Sequence, residues 1–225
     1  MNSTNIQNQT ILSVQNVSYQ YSDASANEFA LKNINFEFEK GKTYAIKGRS
    51  GSGKTTLLSL ISGLEKCTHG NIIFDGKNIK NINLDKYRNS QIGIVFQSYN
   101  LLPYMTASEN IILSMDASGQ KMSNKKQKVL DLMESVGLQK SFANRKILRL
   151  SGGEQQRVAI ARSLSYNPKI IIADEPTGNL DKQTETDILE IFKKLAHEEN
   201  KCVIIVTHSK NVCDMVDVVY DLNTK

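Results

Sequence analysis

Gly48-Arg49-Ser50-Gly51-Ser52-Gly53-Lys54-Thr55 constrains this chain more than any other stretch of its 225 residues. It fits G-x-x-x-x-G-K-[ST], a phosphate-binding loop. By chance the pattern arises in roughly one random chain in a hundred of this length at typical residue usage, so its flanks must support it. They do. Thr43, Tyr44, Ala45, Ile46 and Lys47 form a short strand before the loop, and residues 55–62 read as a buried helix after it. The glycines let backbone N–H groups turn inward around phosphate oxygens. Lys54 places a point charge on the β- and γ-phosphates, and Thr55 offers a hydroxyl to Mg²⁺. The helix that follows points its positive N-terminus at the same anion. Gly48, Arg49, Ser50, Gly51, Ser52, Gly53, Lys54, Thr55 and the adjacent Thr56 are the expected nucleotide-binding residues.

The rest of the chain decides what such a loop is built into. Near the front, Val17, Tyr19 and Tyr21 fall on one strand face, and Ile34, Phe36 and Phe38 on another, as half-buried antiparallel strands require. Residues 70–74 form a strand closed by Asp75-Gly76, and residues 92–96 form another. Strands then disappear between about 98 and 150. Val129, Leu132, Met133 and Val136 recur at helical spacing there, with Ser123 as the expected N-cap and Gly137 as the stop. Strands return at 170–173 and 203–207 without alternation, as in a parallel sheet buried on both faces. Ile188, Ile191, Phe192 and Leu195 mark an amphipathic helix between them, which makes a βαβ crossover. The expected fold is α/β: a P-loop parallel-sheet core, an antiparallel β portion at the front and an inserted helical lobe. It is read as a single domain over 1–225, with the nucleotide-binding core at about 1–97 and 151–225 and the lobe at about 98–150.

Ile170-Ile171-Ile172-Ala173-Asp174-Glu175 is an apolar strand ending in two carboxylates. In a chain with a phosphate loop this is the Walker B pattern. Asp174 would meet the Mg²⁺ shell, and Glu175 is placed to orient and polarise an attacking water. An Asp-Glu pair by itself would more often cap a helix; the four aliphatics before it favour catalysis.

Leu150-Ser151-Gly152-Gly153-Glu154-Gln155-Gln156-Arg157 closely resembles the LSGGQ signature of ATP-binding cassette (ABC) ATPases, with Glu154 where Gln is frequent. The order of phosphate loop, Gln97, signature, Asp174-Glu175 and His208 is similar to that family along nearly the whole chain. The resemblance implies further roles. Ser151, Gly152 and Gly153 would bind the γ-phosphate of an ATP held by a second, head-to-tail subunit. Gln97 would be the Q-loop glutamine, an Mg²⁺ ligand that also senses a transmembrane partner. His208 would be the switch histidine on the γ-phosphate. Asn179-Leu180-Asp181 would be the D-loop, although Asp181 also suits a helix N-cap. Tyr21 would stack on adenine, with Tyr19 as its rival.

The implied function is ATP hydrolysis energising a separate integral-membrane permease, with ATP and Mg²⁺ required. Lys54, Gln97, Glu175 and His208 would carry the catalysis, and Thr55, Gln97 and Asp174 the metal. The nine residues from Ala173 to Asp181 are similar to the group serving macrolide and peptide exporters, lipoprotein release and cell division. Export of peptide, drug or lipoprotein-like cargo is expected. The alternatives are a division-type ATPase that drives a membrane partner mechanically and, further off, a soluble non-transport cassette. Residues 99–104, with Leu101, Leu102 and Pro103, would border the permease contact.

Composition sets the remaining bounds. Apolar runs such as 170–173 and 203–206 are a few residues long, against the roughly 20 that a spanning helix needs. Residues 1–10 lack a basic and then apolar leader, so no secretory signal is expected. Cys67, Cys202 and Cys213 are too few and scattered for a disulfide framework or zinc site. The formal charge of +5 is spread along the chain and argues for no nucleic-acid partner. The expected location is the cytoplasmic face of the cell membrane. With the sequence ending at Lys225, the last strand is expected to be short or missing, with no C-terminal regulatory domain.

Overall fold

The computed structural model describes residues 9–21 and 29–222. Along the chain it runs β1 (Thr10–Tyr19), β2 (Leu31–Glu39), β3 (Thr43–Lys47), α1 (Lys54–Ile61), β4 (His69–Phe74) and β5 (Lys77–Asn78). Next come α2 (Leu84–Gln91), β6 (Ile92–Val95), α3 (Ala107–Ala117), α4 (Lys125–Ser135) and α5 (Gly152–Leu164). It closes with β7 (Ile170–Asp174), α6 (Lys182–His197), β8 (Cys202–Thr207), α7 (Lys210–Met215) and β9 (Val218–Asp221). One sheet is antiparallel in the order β2-β1-β4-β5, and the other is parallel in the order β6-β7-β8-β3-β9.

Each sheet follows its side-chain pattern. In β2, Ile34, Phe36 and Phe38 are buried while Lys32, Asn35 and Glu37 face solvent. β8 is buried at every position. Its two faces serve different cores. Ile204 and Val206 join Ile170, Ile172, Ile46 and the α1 leucines in one cluster with the antiparallel sheet. Val203 and Ile205 join Ile171, Ala173 and the α6 residues Ile188, Phe192 and Leu195 in the other. The β7–α6–β8 crossover is as expected.

The second cluster continues into the lobe through Ile111, Met115, Val129, Met133, Val158 and Ile160. The lobe therefore packs on the sheet through one continuous apolar core rather than through a separate one. Helix α5 shares this core with α3 and α4.

Three local features differ from the sequence reading. The N-cap of α4 is Asn124, in the left-handed region at φ 53°, not Ser123; Asn tolerates that conformation better than most residues. β1 has a register shift between Val14 and Val17, with Asn16 at φ 49°. Beyond it Val17, Ser18 and Tyr19 are all buried, and the strand ends before Tyr21. Simple alternation does not extend to Tyr21. Helices α2 and α7 were not anticipated; each buries a single side chain, Tyr87 and Val212, so neither shows a helical period. Of the two outcomes expected for the last strand, short or missing, the short one is found: β9 pairs in parallel with β3 over Val218 to Asp221.

Candidate functional site

The phosphate loop joins β3 to α1, at the carboxyl end of the parallel strands where ligands bind in open α/β sheets. Gly53 takes φ 89°, and a Cβ there would lie 2.4 Å from the carbonyl oxygen of Ala30. Only glycine fits. No side chain caps the start of α1, and its first turn holds no acidic residue, which leaves its N–H groups for an anion. Lys54 Nζ donates to the carbonyls of Gly48 and Arg49 at 2.8 Å each, so the ammonium is drawn over the loop. Ser52 Oγ is buried with no hydrogen-bond partner among the described residues. A buried hydroxyl without an acceptor is costly, and a phosphate oxygen in the loop would satisfy it.

Asp174 ends β7, and Glu175 follows at φ 44° while its amide still bonds Val206 O at 2.9 Å. A glutamate held in the left-handed region is strained; here the turn throws its side chain toward the end of β8. Glu175 Oε1 lies 2.7 Å from His208 Nδ1. Its other oxygen accepts from Thr207 Oγ1 at 3.1 Å. Burial, and then the neighbouring Glu175 charge, push the Asp174 carboxyl above its ordinary range, with Lys54 opposing both. Two adjacent carboxylates against one lysine favour a further cation.

Gln97 lies just past β6, and its Nε2 is 3.0 Å from where a Cβ on Gly178 would stand. The glutamine is thus packed on the turn that follows Glu175. Ser151 is the N-cap of α5 in a reciprocal capping box: Glu154 N donates to Ser151 Oγ at 3.3 Å, and Ser151 N to Glu154 Oε2 at 2.7 Å. Glu154, the departure from the commonest signature, closes that box. Cβ atoms added at Gly152 and Gly153 would meet Tyr99 Oη at 3.0 Å and Thr184 Cγ2 at 2.6 Å. Asp181 caps α6 through the amides of Gln183 and Thr184.

Tyr21 is 48% exposed and its hydroxyl lies 2.8 Å from Thr56 Oγ1, whereas Tyr19 is 8% exposed. The rings meet edge-on at 5.1 Å. Tyr21 presents a half-exposed ring beside the phosphate-loop helix, and Tyr19 packs against it edge-on.

Sequence reasoning missed Thr207, which holds the second oxygen of Glu175, although it directly precedes His208. It also missed Arg162 on α5. That guanidinium donates to Tyr99 O at 2.9 Å and to Asn100 O, bracing a loop whose residues Tyr99 and Asn100 both have positive φ. Burial lowers its pKa. Nothing in the sequence pairs an arginine with a loop some 60 positions away.

Loop, parallel sheet and carboxylate-tipped strand together define a P-loop nucleotide-binding fold. The family model described as ABC transporter matches residues 31–178. The chain is 47% identical over 209 residues to the ABC transporter ATP-binding protein YclH of Bacillus subtilis, covering 93% of this chain and 92% of the relative. It is 40% identical over 220 residues to the lipoprotein-releasing system ATP-binding protein LolD of Francisella tularensis, covering 96% and 94%. Among solved structures, a dimer of the Methanocaldococcus jannaschii cassette MJ0796 superposes with a TM-score of 0.83 at 39% identity, covering 94% and 95%. The same cassette has been solved as a dimer in a post-hydrolysis state bound to ADP and Pi. This chain belongs to the ABC transporter family, as an ATP-binding subunit. Among the described residues no helix is long and apolar enough to cross a membrane.

Proposed function

We propose that this chain hydrolyses ATP to ADP and phosphate and so energises a separate integral-membrane permease at the cytoplasmic face of the membrane, with export of peptide, drug or lipoprotein-like cargo. The observation that carries the reading is the Glu175 carboxylate, held by Thr207 and His208 beside Asp174. Glu175 takes the proton of the attacking water, and His208 fixes the carboxylate's orientation. Lys54 and the loop amides stabilise charge developing on the γ-phosphate.

Thr55, Asp174 and Gln97 would hold Mg²⁺. All three present oxygen, the donor type that Mg²⁺ takes, and Thr55 and Asp174 line one cavity. When bound, the metal would neutralise phosphate charge. Tyr21 stacks on adenine. Ser151, Gly152 and Gly153 complete the site of a second copy in an ATP-dependent head-to-tail homodimer, a reading supported by the MJ0796 dimer. ATP then favours the closed dimer because only there do both half-sites touch it.

The test is release of ADP and phosphate in equal amounts from ATP by the purified chain, with no phosphorylated acceptor. Transfer of phosphate to an acceptor, or no turnover with or without membranes containing the permease, overturns the proposal.

A further inference from the structure

Glu185 lies in the first turn of α6 and touches neither Glu175 nor the phosphate loop in the hydrogen bonds it makes. Its Oε1 accepts two of them, from Thr177 Oγ1 at 3.3 Å and from Ser209 Oγ at 3.2 Å. These hydroxyls belong to the two segments that frame the candidate base. Thr177 is two positions after Glu175, 6% exposed, in a turn closed by Gly178 N on Glu175 O at 3.2 Å and Leu180 N on Thr177 O at 3.1 Å. Ser209 directly follows His208, and its amide donates to Thr207 Oγ1 at 3.0 Å. Thr207 Oγ1 in turn donates to Glu175 Oε2 at 3.1 Å.

The protons of this chain can be placed in one consistent way. Thr207 has one hydroxyl proton, which goes to Glu175, and its oxygen accepts from Ser209 N. Ser209 has one, which goes to Glu185, and its oxygen accepts from Val212 N at 3.4 Å. Thr177 gives its own to the same carboxylate. A carboxylate oxygen can accept from two hydroxyls at once, and hydrogen bonds to a charged acceptor are roughly twice as strong as neutral ones. The start of α6 also favours a negative side chain there.

We propose that Glu185 is a positioning residue for hydrolysis. It fixes the separation of the 175–180 turn from the 207–209 segment, and so holds the Glu175 carboxylate and the His208 imidazole in one relative geometry. The inference rests on Glu175 being the general base.

Glu185→Ala, Glu185→Gln and Ser209→Ala would be made in the full chain and measured for kcat, KM for ATP, binding of a fluorescent ATP analogue and Tm. Small misplacements of reacting groups cost up to about a hundredfold in rate. The expected result is a kcat about tenfold lower in Glu185→Ala with KM and analogue binding within about twofold of wild type. Glu185→Gln, which keeps a carbonyl acceptor, recovers most of the rate. Glu185→Ala and Ser209→Ala combine to less than the product of their separate effects, as residues of one network do. Wild-type kcat in Glu185→Ala, no rescue by Gln, or fully multiplicative effects each overturn the proposal. Should Glu185→Ala fail to fold, Thr177→Val and Ser209→Ala interrupt the same links singly, and unchanged kcat in both overturns it equally. Wild type and Glu175→Gln run alongside. A Glu175→Gln variant as active as wild type removes the base assignment itself, and the proposal with it. A dead Glu175→Gln beside a fully active Glu185→Ala removes the positioning role alone.

Discussion

His208 Nδ1 and Glu175 Oε1 stand 2.7 Å apart, although the two residues directly follow different strands of the parallel sheet. Because β7 and β8 are adjacent and in register, with Asp174 opposite Val206, the two strand ends deliver both side chains to one place. Glu175→Gln keeps the shape and loses the proton acceptor. Hydrolysis should fall by at least the roughly 10²–10⁴-fold expected for a lost general base, while ATP binding survives. Phosphate release and analogue binding measured on the same preparation check this, and wild-type turnover would sink the assignment.

Asp174 carries the pH prediction. Its carboxyl is raised from the ordinary 3.8, first by burial and then by the Glu175 charge. A carboxyl raised on folding binds its proton more tightly in the folded than in the unfolded chain. The nucleotide-free protein therefore gains stability from this group as pH falls from above the folded pKa toward the unfolded value. At neutral pH the group is charged at a cost. Asp174→Asn should raise Tm at pH 7 without nucleotide and flatten that pH dependence, while Mg²⁺-dependent hydrolysis is lost. A lower Tm in the Asn variant would show that the carboxylate stabilises the empty site instead.

The adenine assignment separates two tyrosines by exposure. Stacking of a base on an aromatic ring is worth about 1–3 kcal/mol. Tyr21→Ala should therefore raise KM for ATP about tenfold and leave Tm nearly unchanged. Tyr19→Ala removes a buried ring, for which about 3 kcal/mol of stability is the expected loss. Urea unfolding and ATP titration of both variants distinguish them. If Tyr19→Ala weakens ATP binding without destabilising the chain, the stacking ring is Tyr19.

Ser151 tests assembly. Its hydroxyl caps α5 at the exposed start of the helix. Ser151→Arg would put a long cation where the other subunit's phosphate is proposed to sit. The Glu175→Gln chain should become a dimer with ATP by light scattering, and the Glu175→Gln, Ser151→Arg double variant should remain a monomer. An ATP-dependent dimer in the double variant would count against the sandwich.

The sequence made some parts of this site readable and hid others for physical reasons. The phosphate loop is contiguous and each position answers to one chemical demand, so it could be read directly. The strands carrying Asp174 and His208 were readable because a strand buried on both faces has no room for polar side chains. Ser123 reads as the N-cap of α4 because side-chain capping is the commoner device; the left-handed Asn124 that starts the helix makes no side-chain cap and leaves no such signature. The bulge at Asn16 changes face within one strand, which alternation cannot foresee. Thr207 meets Glu175 through the pairing of β7 with β8, and Glu185 meets Ser209 through the packing of α6 beside β8. Their spacing along the chain carries no trace of either contact.

The loop after Gln97 yields the last prediction. Leu101 is partly buried against the lobe core, so the apolar surface lies further along than expected. Leu102 is 46% exposed and Tyr104 80% exposed. The backbone beneath them is fixed: Asn110 Oδ1 accepts from Leu102 N at 2.8 Å and Asn110 Nδ2 donates to Leu102 O at 3.2 Å. A buried amide thus holds the loop while two large apolar side chains project from it. Contiguous exposed apolar patches mark interaction sites, and Leu102 and Tyr104 are the pair by which this loop is tested as one. Leu102→Glu leaves the Asn110 bonds intact, since both use Leu102 main-chain atoms. The variant should fold with unchanged Tm, retain basal ATPase activity, and lose co-purification with membranes containing the permease. Asn110→Ala should instead lower Tm, because it strips a buried set of backbone partners. If Leu102→Glu binds those membranes as well as wild type does, the proposal of a permease contact at this segment fails.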